Sequence, residues 1–131
     1  MRIIADTNVL VRAVVRDDEK QARAAAAILS KAGAIAIPTA TLCEFVWVLR
    51  KLYGFTRAEV IAALRALLDA ANVAVDGPAS EAGLAMLEAG GDFADGVIAF
   101  EGQRLGGETF VSFDKKAVAL VSKLGSEARV L

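Results

Sequence analysis

Short apolar runs alternate along this chain with helix-length segments whose apolar positions recur every three or four residues. That alternation is the pattern of a parallel sheet covered by helices. Arg2 to Ala5 reads as a first strand, and Asp17 or Asp18 can cap an alanine-rich helix that runs to about Ala32 and stops at Gly33. Ala34 to Ile37 gives a second strand, ended by Pro38. From Thr41 the positions Leu42, Phe45, Val46, Leu49, Leu52 and Tyr53 keep a helical period until Gly54. Thr56 and Glu59 form a capping-box pattern for a helix that buries Val60, Ile61, Leu64, Leu67 and Leu68. Asn72 to Val75 is a third strand, and Asp76-Gly77-Pro78 turns into a helix with Pro78 at its first position, closed by Gly90-Gly91. A further helix spans about Phe93 to Leu105. A fourth strand, Thr109 to Ser112, follows Gly106-Gly107, a helix covers Lys115 to Lys123, and Ala128 to Val130 completes the set as an edge strand. The expected fold class is α/β, with a central parallel sheet of about four to five strands, in one domain over residues 1–131.

Composition narrows the chemistry. The chain has one cysteine, Cys43, and no histidine, which excludes an intramolecular disulfide, Cys/His zinc sites and triads built on imidazole. Catalysis must then rest on carboxylates, amines or a metal. The apolar blocks are interrupted by charges, so no stretch approaches the ~20 residues of a membrane span. Met1 to Ala5 lacks the basic and long apolar regions of a signal peptide. The expectation is a cytoplasmic protein without membrane attachment. The formal charge of −1 neither supports nor refutes nucleic-acid binding, which needs only a local basic rim.

Among 16 acidic residues, position selects the candidates. Ligands of open parallel sheets bind beyond the carboxyl ends of the strands. Asp6 directly follows the first strand and Asp114 lies two residues beyond the fourth. Asp6 also reads as an N-cap, in the capping-rich sequence Asp6-Thr7-Asn8. Glu44 is expected in the first turn of the helix after the second strand, where a capping box with Thr41 is a competing explanation. Asp92 and Asp95 stand i, i+3 at a helix start; Asp95 leads into the apolar Gly96-Val97-Ile98-Ala99-Phe100, which favours it as the functional acid and Asp92 as auxiliary. Carboxylates gathered at one edge repel one another unless a cation neutralises them. Oxygen-only donors suit Mg²⁺ or Mn²⁺, and the chemistry they imply is phosphoryl transfer or phosphodiester hydrolysis.

Four segments in this order and spacing resemble the PIN domains, and among them the small VapC-type toxins of bacterial toxin-antitoxin pairs. They are Arg2-Ile3-Ile4-Ala5-Asp6-Thr7-Asn8-Val9-Leu10, Glu44 at its helix start, Asp92-Phe93-Ala94-Asp95-Gly96-Val97-Ile98-Ala99, and Phe110-Val111-Ser112-Phe113-Asp114-Lys115-Lys116. The resemblance spans nearly the whole chain and implies a three-layer sandwich, a parallel sheet between helices. It places the family's acidic quartet on Asp6, Glu44, Asp95 and Asp114, and its hydroxyl residue on Ser112. Asp6 and Asp95 would hold Mg²⁺ or Mn²⁺ with Glu44 and Asp114 supporting, and Asn8, Asp92 and Ser112 would be auxiliary. The implied activity is a metal-dependent endoribonuclease that hydrolyses RNA through a metal-activated water. The implied partners are the RNA substrate, a small cognate antitoxin and a second copy in a homodimer. Two positions depart from the pattern: Gly96 stands where alanine is usual, which would loosen the helix presenting Asp95, and Glu101 where the helix is commonly small or apolar.

Arg12 and Arg16, read as following the first helix, and Lys115 and Lys116 beside Asp114 are candidates for RNA phosphate contacts, with solvated helix ends as the alternative. Trp47, Val48 and Cys43 fall off the main apolar stripe of their helix; burial under another helix is the expectation, and a dimer or antitoxin surface the alternative. A phospho-receiver domain with Asp76 as acceptor fits the length, but it wants an acidic pair after the first strand where only Asp6 stands. A catalytically inactive PIN-like module that only binds RNA or protein is the remaining alternative.

Overall fold

The three strands nearest the N-terminus are β1 (Arg2–Ile4), β2 (Ala34–Ala36) and β3 (Val73–Ala74), and in the computed structural model, which describes all residues from Met1 to Leu131, they pair in parallel in the order β1-β2-β3. Arg2 lies opposite Ala34, Ile4 opposite Ala36, and Ala36 opposite Ala74. The ladder runs one residue past β1 and β2, through the Ala5 N–H to the Ala36 carbonyl and the Ile37 N–H to the Ala74 carbonyl. The chain divides into two compact units, Met1–Asp76 and Gly77–Leu131.

In the first unit the helices are α1 (Thr7–Val14), α2 (Glu19–Lys31), α3 (Thr39–Trp47) and α4 (Arg57–Leu68). The Asp18 side chain caps α2 through the Gln21 N–H, and Thr56 and Glu59 form the expected reciprocal capping box of α4. Leu10, Ile35, Ile37, Leu42, Phe45, Leu49, Val60 and Leu64 are buried together as the core of this unit. Each large apolar side chain so buried contributes about 1.5–3 kcal/mol relative to leaving it in water. The helix expected from Thr41 begins at Thr39 and does not continue as one α-helix to Tyr53. At Val48–Leu52 it widens into a π-helical turn, closed by the Tyr53 N–H bonding the Val48 carbonyl five residues back. Gly54, at φ +67°, then takes the left-handed conformation that ends it. The extra residue per turn shifts every side chain after Trp47 off the continuous α-helical period. Trp47 is 55% exposed, against the expectation of burial, because the core face of α3 is already filled by Leu42, Phe45 and Val46, and that of the turn after it by Leu49.

The second unit contains α5 (Gly77–Glu88), α6 (Phe93–Arg104), β4 (Thr109–Ser112), α7 (Lys115–Lys123) and β5 (Glu127–Val130). β4 and β5 pair in parallel, Thr109 opposite Glu127 and Ser112 opposite Val130. The strands therefore form a three-stranded and a two-stranded sheet, in place of the single sheet of four to five strands expected. Two to four residues per strand support only short ladders, and the apolar runs of the sequence carry strand identity without carrying which edges hydrogen-bond. Phe93 and Leu84 are fully buried between the helices. Gly83 and Gly96 set how closely α5 and α6 approach: a Cβ at Gly83 would lie 2.5 Å from the Phe93 ring, and one at Gly96 would collide with the Ala82 carbonyl oxygen. Gly96 thus permits the close approach of α5 and α6.

Candidate active site

Asp6 leaves β1 in extended conformation and begins α1, and its carboxylate accepts a hydrogen bond from the Thr7 N–H at 2.8 Å. Asp6 therefore caps α1 and remains exposed at the carboxyl end of β1. Capping uses one oxygen of the carboxylate and leaves the other free to bind. Thr7 beside it is buried at 8% exposure, and its hydroxyl donates to Glu44 Oε2 at 3.2 Å. Glu44 is the sixth residue of α3, which starts from Pro38 without any side-chain cap. The capping box with Thr41 is therefore absent, because the helix begins two residues before that threonine. The carboxylate of Glu44 is instead held across 37 residues of sequence by α1.

Asp6 and Glu44 line one pocket of ≈ 300 Å³ within the first unit, together with Asn8, Arg12 and Tyr53. Arg12 lies inside the last turn of α1, not after the helix. Its Nε donates to Gln21 Oε1 at 2.7 Å, and its Nη1 donates to Asp17 Oδ1 at 2.8 Å and to the Tyr53 hydroxyl at 3.1 Å. The Tyr53 hydroxyl in turn donates to Asp17 Oδ2 at 3.2 Å. The hydrogen bond to Tyr53, with the charge of Asp17, raises the pKa of the guanidinium. Arg12 also lines a larger cavity of ≈ 600 Å³ between α1 and α2 that contains no carboxylate. Arg16 is exposed and sits 3.9 Å from Glu19 in a surface ion pair.

In the second unit Asp92 is the N-cap residue of α6 and Asp95 lies in its first turn. Asp92 is exposed and makes no side-chain cap bond, while Asp95 is half-buried. Burial, then the charges of Asp92 and Asp114, raise the pKa of Asp95 above the ordinary carboxylate value. Asp114 caps α7 by accepting from the Ala117 N–H at 3.0 Å. Its own N–H donates to the Ser112 hydroxyl at 3.0 Å, so Ser112 fixes the turn from which Asp114 projects. Lys115 and Lys116 follow directly, exposed in the first turn of α7.

Asp6 and Glu44 thus line one pocket in the first unit, and in the second Asp95 feels the charges of Asp92 and Asp114. In neither unit do three carboxylates form a metal-holding group. The donors nevertheless fit a hard divalent cation by chemistry: all are carboxylate oxygens, and the burial and like charge that raise the Asp95 pKa are what a cation offsets. Two features escaped the sequence. Thr7 had only its place after Asp6 to mark it, and Tyr53 read as one more apolar position because the π-helical turn before it is invisible to a helical count.

A family model for the PIN domain matches residues 3–123 of the chain. No curated protein matches it. The family match removes the phospho-receiver reading and leaves a nuclease fold. No helix is long and apolar enough to cross a membrane.

Proposed function

We propose, from the premise that the chain belongs to the PIN domain family, that it is a Mg²⁺- or Mn²⁺-dependent endoribonuclease and the toxin of a VapBC-type toxin-antitoxin pair. The observation that carries the nuclease reading is the pairing of Asp6 and Glu44 in one pocket, with Glu44 held by the buried Thr7 hydroxyl. A carboxylate fixed by a partner from a distant helix is ordered before substrate arrives, which is what electrostatic catalysis requires. The toxin role, the small antitoxin and the homodimer rest on the resemblance of the four motif segments to VapC-type proteins.

By the resemblance, Asp6 and Asp95 would be the ligands of the cation, with Glu44 and Asp114 as supporting acids. A divalent cation, when bound, neutralises charge on the phosphate and makes water a better nucleophile near neutral pH. The protein's own part is orientation. The Thr7 hydroxyl holds Glu44, the Ser112 hydroxyl and the α7 cap hold Asp114, and Asp92 adds negative charge next to Asp95. Lys115, Lys116 and Arg16 are assigned to phosphates of the RNA chain outside the cut.

The test is cleavage of a single-stranded RNA by the purified protein in Mn²⁺, in Mg²⁺ and in EDTA, beside Asp6→Asn. The expected result is metal-dependent cleavage that the variant abolishes with an unchanged melting temperature, since asparagine keeps the cap on Thr7. Equal cleavage by the variant, or by the wild type in EDTA, overturns the proposal.

A further inference from the structure

The Asp6–Glu44 pocket has a second wall that the acid chemistry leaves unused. Arg12 and Tyr53 line it, and both are held in place before any ligand arrives. Tyr53 follows the π-helical turn, and its hydroxyl is tied to Arg12 and to Asp17. Val48 and Leu52 of the same turn also line the pocket, so the turn builds this wall as a whole. Such turns interrupt α-helices frequently at functional sites. Arg12 spends Nε on Gln21 and Nη1 on Asp17 and Tyr53, and none of these bonds uses Nη2.

An aromatic ring with its hydroxyl anchored, beside a guanidinium with one amine to spare, suits one nucleotide of a single strand. Every base has a π-face that stacks on an aromatic ring, and a guanidinium takes phosphate oxygens. A pocket of ≈ 300 Å³ stands at the small end of ligand sites. We propose that Tyr53 and Arg12 form the nucleotide-binding wall of the acid-lined pocket. The base next to the cut stacks on the Tyr53 ring and its phosphate meets Arg12 Nη2. The proposal rests on the nuclease reading and adds the element that grips the substrate: an unpaired RNA nucleotide, selected by stacking and not by base-pair geometry.

The test uses the full chain and a short single-stranded RNA carrying fluorescein at one end and one 2-aminopurine. Binding is read with Ca²⁺ in place of Mn²⁺, and cleavage in Mn²⁺. Tyr53→Leu is expected to raise Kd and KM about tenfold, within the range for one base stacked on an aromatic side chain, with kcat within threefold of wild type. Tyr53→Trp loses the hydroxyl ties but keeps a stacking face, and is expected to hold Kd within about threefold of wild type. Quenching of 2-aminopurine should be present with the wild type and the Trp variant and lost with Leu. Arg12→Gln should raise Kd with quenching retained. Equal loss of affinity in the Leu and Trp variants would assign Tyr53 to structure alone and overturn the proposal, as would a Kd that Tyr53→Leu leaves unchanged or a wild type that binds no RNA. A wild type that binds and quenches but does not cleave defeats the nuclease reading while supporting the nucleotide wall.

Discussion

The hydroxyl of Thr7, on α1, donates to Glu44 on α3 at 3.2 Å, and the threonine that makes this bond is buried while the glutamate is exposed. The buried partner therefore sets the position of the accessible one. Thr7→Val keeps the shape of the side chain and removes the donor. We expect single-turnover RNA cleavage to fall about 10- to 100-fold, the usual cost of losing a group that orients an active-site ligand, and Thr7→Ser to restore most of it. The melting temperature should change little, since the freed Glu44 carboxylate is solvated. Full activity in Thr7→Val would show that Glu44 needs no such support.

Asp114 is both an assigned acid and the N-cap of α7, through its bond to the Ala117 N–H, and the two roles separate by substitution. Asp114→Asn retains an acceptor for the cap and loses the charge; Asp114→Ala loses both. The expectation is that both variants lose cleavage, while only the alanine variant loses about 1 kcal/mol of stability. Thermal melts beside cleavage rates check this. A cleaving Asp114→Asn would reduce Asp114 to a cap.

The sequence carried the order of elements well, because strands announce themselves as apolar runs after glycine or before proline, and helices as capped periodic segments. Thr56 and Glu59 form the capping box that their spacing predicted. The start of α3 is not legible, because Thr41 and Glu44 satisfy a capping pattern that the chain does not use: Pro38 ends β2's run and the helix begins at once. Sheet continuity was not legible, since hydrogen bonding between strand edges leaves no trace in which residues are apolar. The places of Asp6, Asp92, Asp95 and Asp114 at helix starts were legible, but Glu44 falls deeper in its helix than its expected first turn, and what holds these carboxylates was not legible. A threonine hydroxyl meeting a glutamate 37 residues away has no local signature. The π-helical turn had none either, and with it the role of Tyr53 was hidden.

Gly96 and Gly102 lie on the same helix, α6, and should respond to alanine in opposite ways. A Cβ at Gly96 would lie 2.8 Å from the Met86 Cβ and strike the Ala82 backbone, whereas one at Gly102 meets nothing within 4 Å. Gly96→Ala should destabilise by about 1–3 kcal/mol through overpacking of α5 against α6. Gly102→Ala should stabilise by about 0.5–1 kcal/mol, the helix-propensity difference between the two residues. Denaturant unfolding of both variants checks the contrast. A stable Gly96→Ala would mean that α5 and α6 can separate without cost.

Asp95 gives the pH dependence its sign. Burial, followed by the charges of Asp92 and Asp114, raises its pKa above the ordinary value of 3.8, so the folded state holds this proton more tightly than the unfolded chain does. The stability this contributes is present below pH 3.8 and is lost as pH rises through the raised value. At pH 7 the ionised carboxylate is therefore a liability in the fold, and Asp95→Asn removes it. Because Asp95 is half-exposed, solvent screening keeps the effect to a fraction of a kcal/mol, or about 1–3 °C in melting temperature. The variant should melt above the wild type at pH 7, and the gap should narrow as pH falls toward 3.8. Mn²⁺ should raise the wild-type melting temperature at pH 7 by compensating the half-buried negative charge, and should do so less in the variant. An Asp95→Asn protein that melts below the wild type at pH 7, with a gap unchanged at acid pH, would show that Asp95 is stabilised in place by contacts and not destabilised by burial and its neighbours' charge.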